Sequence, residues 1–494
     1  VTTPMTISQQ APAPPAAPAG QPPGPPPAPT PPAPATGRGR RRTVPARIWT
    51  LTGASLVAAA LLFGATALSI GNAREGLQVI GHDAGPQVVA TADLYFALSD
   101  MDAQVANVLL IGRETSLGKG RQQALDRYDQ RRAEASRAVL QAAELALGDP
   151  TEQQTVRQVL DGLGRYERLA AQAILLDQQS QHAAGPPPDR VIELYRQATD
   201  LMRLDLLPKA YNLTLDSGTI VRETYEDESA AVLTGRFLVG AAGLLTLALL
   251  IGLQIFLARR FRRVLNPALL LATLIIAVFT LSGMLLLGRE AENLRMAKDD
   301  GFNSVLALSR ARAIGNTMHG DQSRYLLDPQ RADTYEQVYL DKSQSVLYTP
   351  GGSLDKYYAG VDKVVGEWPE KVDFLGFHGA EARNLTLRDQ RPAVGAVLTA
   401  YEKFQQQDRQ MRRLAVAGQA RQAIALRMGT LAQSFESYDK ALVDLIALHR
   451  GAFDGAIRSG DDDLGGWNVI VPGAAVLAAL LIFAGIVPRL SEYR

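Results

Sequence analysis

Four uninterrupted apolar runs, at residues 48–70, 237–258, 264–288 and 466–488, constrain this 494-residue chain more than any other feature. A helix rising 1.5 Å per residue needs roughly 20 residues to cross a hydrocarbon core of about 30 Å, and each run meets that length. Inside a bilayer every backbone polar group must find its partner within the protein, which leaves helices and closed barrels as spanning structures. None of the runs alternates with period two and none holds a charged side chain, so the expectation is an all-α membrane protein with four transmembrane helices.

The net charge of +1 conceals a strict segregation. Acidic residues fall almost wholly in 71–236 and 289–465; elsewhere only Glu492 is acidic. The basic residues outside those two regions flank the apolar runs. Arg38, Arg40, Arg41, Arg42 and Arg47 precede the first, Arg259, Arg260, Arg262 and Arg263 separate the second from the third, and Arg489 and Arg494 follow the fourth. The positive-inside rule therefore predicts a multi-pass plasma-membrane protein with both termini (1–47 and 489–494) and the short loop 259–263 in the cytosol. Regions 71–236 and 289–465 then lie outside the cell. A cleaved signal peptide is the competing reading of the first run, because Ala65-Thr66-Ala67 follows a basic stretch. With no cysteine in the chain, disulfides and thiolate chemistry are excluded.

Residues 1–37 are mostly Pro, Ala, Gly, Thr and Gln, a composition that buries too little apolar surface to fold and suits a tether or a docking segment. Both external regions read as long helices. Val156, Val159, Leu163, Tyr166, Ala170 and Ala173 alternate steps of three and four in the first, and Ile424, Met428, Leu431, Phe435, Tyr438, Leu442 and Leu445 do so in the second. Breaks at 114–120, 147–150 and 182–189 cut the first region into four helical stretches, and breaks at 348–353 and between Trp368 and Arg388 divide the second less cleanly. Two tandem four-helix bundles are expected. Sliding residues 75–110 by 217 positions matches Glu75 with Glu292, Asp83 with Asp300, Met101 with Met318 and Leu109-Leu110 with Leu326-Leu327, which points to internal duplication.

Enzymatic signatures are missing. His82, His182, His319, His378 and His449 are scattered without a second ligand type at metal spacing, and GRETSLGKG departs from a phosphate-binding loop in both glycine spacing and its final residue. The expectation is a protein with no cofactor, no metal and no catalytic residues. Ala60 with Gly64 and Ala474 with Ala478 stand at helix-packing spacing within the apolar runs. The basic loop Arg259, Arg260, Arg262 and Arg263 serves topology or the docking of a cytosolic partner.

The stretches TADLYFALSDMDAQVANVLL (91–110) and HGDQSRYLLDPQRADTYEQVY (319–339), set in two helix-rich regions bracketed by spans, resemble the ligand-binding bundles of bacterial chemoreceptors and, in tandem, the actinobacterial GlnX-like membrane proteins. That resemblance implies amino-acid signalling. A GlnH-like binding lipoprotein outside would report an amino acid such as glutamate or aspartate, and a PknG-like Ser/Thr kinase inside would receive the signal. If a bundle binds the amino acid directly, arginines on its first helix suit a carboxylate, and Arg310, Arg312 and Arg324 are the candidates. The corresponding first-region residues are Asp93, Tyr95 and Asn107, so the two regions do not share that chemistry. A structural adaptor of envelope complexes is the alternative function, and a transporter subunit a third. Nothing in the charge pattern indicates nucleic acid.

Overall fold

The computed structural model describes residues 44–115, 117, 120–146, 150–261 and 266–491, so the proline-rich tail, Arg38 to Arg42, Arg262, Arg263 and Arg494 lie outside the described residues. In chain order the helices are α1 (Val44–Leu77), α2 (Gly85–Ile111), α3 (Arg121–Leu145), α4 (Pro150–Ser180), α5 (Asp189–Leu201), α6 (Leu207–Phe261), α7 (Pro267–Arg295) and α8 (Asn303–Leu327). They continue with α9 (Ala332–Val346), α10 (Leu354–Glu367), α11 (Gly376–Arg383), α12 (Gln390–Val416), α13 (Ala420–Leu426), α14 (Ala432–Leu464) and α15 (Trp467–Ser491). Among the described residues there is no β-strand. A single antiparallel bridge pairs Tyr348 with Leu375.

Four of these helical paths are long and apolar enough to cross a membrane: Ala46–Ile111, Asp189–Arg259, Pro267–Leu327 and Ala420–Pro488. At 61 to 71 residues each is about three times the length a bilayer needs, so each joins an apolar end to a polar head. Each path also contains a short π-helical turn: Gln78–Ala84 and Met296–Phe302 lie just beyond the apolar run, whereas Met202–Leu206 and Arg427–Leu431 lie deep in the head. Two of these turns have a local cause. Gly85 and Leu207 each donate to a carbonyl five residues back, and each is followed by a proline, Pro86 or Pro208, which has no N–H to continue the ladder.

The apolar segments pack as a ring, α1 on α6, α6 on α7, α7 on α15 and α15 on α1. Phe63 and Phe279 meet at 4.5 Å inside it. Buried hydroxyls in this layer return to their own helices, Thr66 to Leu62 O and Thr280 to Ile276 O. Ala478 is buried in the ring, whereas Ala60 and Gly64 line an outward-facing groove between α1 and α6.

In the head, every residue of both apolar stripes is buried, from Val156 to Ala173 on α4 and from Ile424 to Leu445 along α13, the Arg427–Leu431 turn and α14. Helices α2 to α5 divide at the breaks the sequence displays. The 303–464 region is more segmented than a simple bundle. Pro350-Gly351-Gly352 separates α9 from α10, and the short α11, between α10 and α12 in the chain, packs on α8, α9 and α12.

The two polar regions also share one hydrophobic core, which runs through Leu94, Met101 and Leu109 to Met318, Leu327, Tyr438 and Leu445. Their joint is α2 against α8. Asn316 Nδ2 donates to Ser99 Oγ at 2.8 Å across 217 residues, and Ser323 Oγ donates to Asn107 Oδ1 at 2.7 Å across 216. A near-constant offset means that the helices run parallel. The small pair Ala103 and Gly320 lets them close in, since a Cβ on Gly320 would sit 3.2 Å from that of Ala103.

Candidate functional site

A cavity of about 430 Å³ opens at this joint. Its walls are Ala92 and Tyr95 of α2, Arg203 and Leu204 of the second π-turn, Leu207, Pro208, Tyr211 and Thr214 of α6, Ser309, Arg310, Ala313, Ile314, Thr317 and Arg324 of α8, and Lys342 of α9. The π-turn ahead of Pro208 widens the helix where Arg203 and Leu204 enter the wall. Tyr95 and Tyr211 meet edge to face with ring centroids 6.2 Å apart.

Four cations converge here. Arg324 is buried and fully engaged: Nη1 donates to Asp321 Oδ1 at 2.6 Å, Nη2 to Asp102 Oδ2 at 2.5 Å, and Nε to Tyr195 OH at 3.1 Å. Lys342 Nζ donates to the other Asp321 oxygen at 2.5 Å. Asp102 is held from behind by Thr199 at 2.6 Å and Tyr166 at 3.2 Å. The remaining two cations are different. Arg310 lies over the Tyr211 ring at 5.4 Å and Arg203 over Tyr335 at 5.7 Å, and among the described residues neither forms an ion pair. The Arg310 Nε is sealed from solvent with no hydrogen-bond partner.

The electrostatics follow from burial and crowding. Burial pushes the Tyr95 phenol up to about 12, so it remains a neutral donor. Burial holds Lys342 down to about 8 against the pull of Asp321, and Arg203 and Arg324 beside it push in the same direction as burial. Burial also lowers Arg310. Asp321 is held below the usual carboxylate range by Lys342, Arg324 and Arg203, which overcome its burial.

Of the three arginines singled out in the sequence, Arg310 and Arg324 meet in this cavity. Arg312 does not. It makes a two-point ion pair with Asp439 at 2.6 and 3.0 Å, stacks on Phe96 at 4.0 Å, and lines a separate cleft with Asp93 and Arg450. Arg203 and Lys342 were not among the candidates, and neither stands at a telling spacing from the others in the sequence. Far from this cavity, Arg259 is exposed near the end of α6. Arg260 lies on the same helix end.

Residues 76–226 match the family model described as the actinobacterial sensor domain. The match spans the first polar region and includes Tyr95, Arg203 and Tyr211, while Arg310, Arg324 and Lys342 lie beyond it. It supports an actinobacterial sensor protein. No curated protein and no solved structure matches the chain.

Proposed function

We propose that this chain is a plasma-membrane signal relay whose helical head lies outside the cell, with both termini and the basic 259–263 loop in the cytosol. It detects a ligand, or a binding lipoprotein carrying one, and passes the event to a cytosolic partner. It works as a relay and not as an enzyme.

The carrying observation is continuity. Tyr95 stands on the helical path Ala46–Ile111, Arg203 and Tyr211 on Asp189–Arg259, and Arg310 and Arg324 on Pro267–Leu327. One occupant of the cavity therefore touches three of the four helices that are long enough to span. A ligand biases a helix arrangement only through contacts that differ between two arrangements, and an occupant of this cavity would make contacts on all three paths.

The family match supports the sensing role. The resemblance to GlnX-like proteins supports amino acids such as glutamate or aspartate as the reported nutrient, with a GlnH-like lipoprotein and a PknG-like kinase as partners. The parallel α2–α8 contact at an offset of 217 residues favours reading the two halves as copies of one unit.

The chain has no native cysteine, so spin labels can be placed by single substitutions. Labels at Leu61 on α1 and Leu245 on α6, both exposed on the groove between those helices, report their separation in lipid nanodiscs. A distance distribution that shifts with a ligand or a loaded binding protein supports the relay. Distributions indifferent to every candidate, with a constant set of bound envelope proteins, would favour a scaffold.

A further inference from the structure

The charge census of the cavity narrows what it accepts. Arg324 and Lys342 are balanced by Asp321 and Asp102, whereas Arg203 and Arg310 are unbalanced. The wall thus carries an excess of two positive charges, and the buried Arg310 Nε is a donor without an acceptor. Guanidinium groups without a protein carboxylate are suited to two anionic groups, each able to accept paired N–H donors.

The wall is as definite about what it lacks. No carboxylate is among its residues, because Asp321 is sealed and both its oxygens are already occupied by Arg324 and Lys342. An α-ammonium group entering here would find hydroxyls, apolar surface and the Tyr95 and Tyr211 rings but no counter-charge beside the excess cations, and burying a charge without a counter-charge is strongly unfavourable. Leu207, Pro208, Ala313 and Ile314 supply apolar surface for a short hydrocarbon spacer.

We infer that this cavity binds a short organic dicarboxylate that carries no amino group, and discriminates against amino acids of the same length. The inference rests on the sensing role proposed above and deepens it: recognition of an amino acid is then the task of a binding protein, while the cavity reads a second, deaminated class of compound.

The test is calorimetric titration of the full-length chain in lipid nanodiscs with glutarate, glutamate and inorganic phosphate. Glutarate is expected to bind at least tenfold tighter than either of the others. Glutamate or phosphate binding as tightly as glutarate, or no binding by glutarate at millimolar concentration, overturns the inference. Arg310→Gln and Arg203→Gln should each weaken glutarate tenfold or more with unchanged thermal unfolding of the free protein. Arg312→Ala, outside the cavity, should leave it within about twofold, and loss of binding in that variant alone would also overturn the assignment. The spin-label distances separate this inference from the relay. Glutarate binding without any distance change leaves the site standing and removes the relay, while a shift evoked by a loaded binding protein without glutarate binding does the reverse.

Discussion

Asp102 and Arg324 stand 222 residues apart in the chain and meet at 2.5 Å, both sealed from solvent, where the first helices of the two polar regions pack together. The pair does more than join α2 to α8. Arg324 also fixes Asp321, and Asp321 fixes Lys342, so one buried network links the shared core to the cavity wall.

Removing one partner of a buried ion pair leaves the other uncompensated, which costs about 3–5 kcal/mol, whereas replacing both with apolar groups costs far less. Arg324→Ala should therefore lower the unfolding temperature of the detergent-solubilised protein sharply. Asp102→Leu combined with Arg324→Met should recover much of the loss, although Asp321 then keeps only Lys342. An Arg324→Ala protein that melts with the wild type would show that the pair is not closed in solution.

Two glycines in π-turns give a contrast in sterics. A Cβ on Gly301 would lie 2.6 Å from Phe453 Cβ and 2.8 Å from its Cα, while a Cβ on Gly429 would meet nothing within 4 Å. Gly301→Ala should destabilise by about 1–3 kcal/mol through overpacking. Phe453→Gly should relieve it only in part, because the backbone at position 453 still crowds the added methyl group. Gly429→Ala should be tolerated, or stabilise by roughly 0.5–1 kcal/mol through the unfolded chain. Equal melting shifts for the two alanine variants would contradict the close packing at Gly301.

What the sequence reveals of this molecule is periodic or local. Steps of three and four place Tyr166 and Tyr438 in the core because a stripe at that spacing has only one way to face a neighbouring helix. The same arithmetic separates the arginines. Successive helix residues are rotated by about 100°, so Arg312 lies some 200° around α8 from Arg310, whereas Arg324, fourteen residues on, returns to within about 40°. Grouping all three as one site overlooks that rotation. Arg203 and Lys342 could not be found this way, since their convergence depends on the Met202–Leu206 turn and α9 meeting α8. The merging of two expected bundles into one core was hidden likewise, because a buried face on α2 reads the same whichever helix covers it.

Two buried histidines should give the protein opposite pH responses. Burial holds His378 down to about 4, against a smaller opposing pull from Glu381, and its Nε2 lies 2.9 Å from Tyr438 OH. Its unfolded form protonates near 6.5, so the unfolded state binds more protons between about pH 6.5 and 4 and stability falls as pH falls, by at most about 1.4 kcal/mol per pH unit. His449 is raised, its burial being outweighed by Glu381 at 2.7 Å and Asp300 O. That contribution is complete below about pH 6.5 and is lost as pH rises through the folded value. Melting curves across pH should lose the acid-side slope in His378→Gln and the neutral-side slope in His449→Gln. Parallel curves for wild type and both variants would refute these assignments.

Lys342 makes ligand affinity depend on pH in a definite direction. With its ammonium held down to about 8, it is largely charged at neutral pH and largely neutral one unit above that value. The groups around it are Asp321, which favours the charged form, and Arg203 and Arg324, which oppose it. An incoming dianion adds negative charge to this cluster and favours protonated Lys342, so binding and proton uptake are linked. Affinity for glutarate should therefore fall as pH rises through about 8, by no more than tenfold per unit for one linked proton. Lys342→Met should be weaker at neutral pH and flat across the same range, because the linked proton is gone. A wild-type affinity that rises or stays level between about pH 7 and 9 would mean that Lys342 is committed to Asp321 alone and lends nothing to the bound anion.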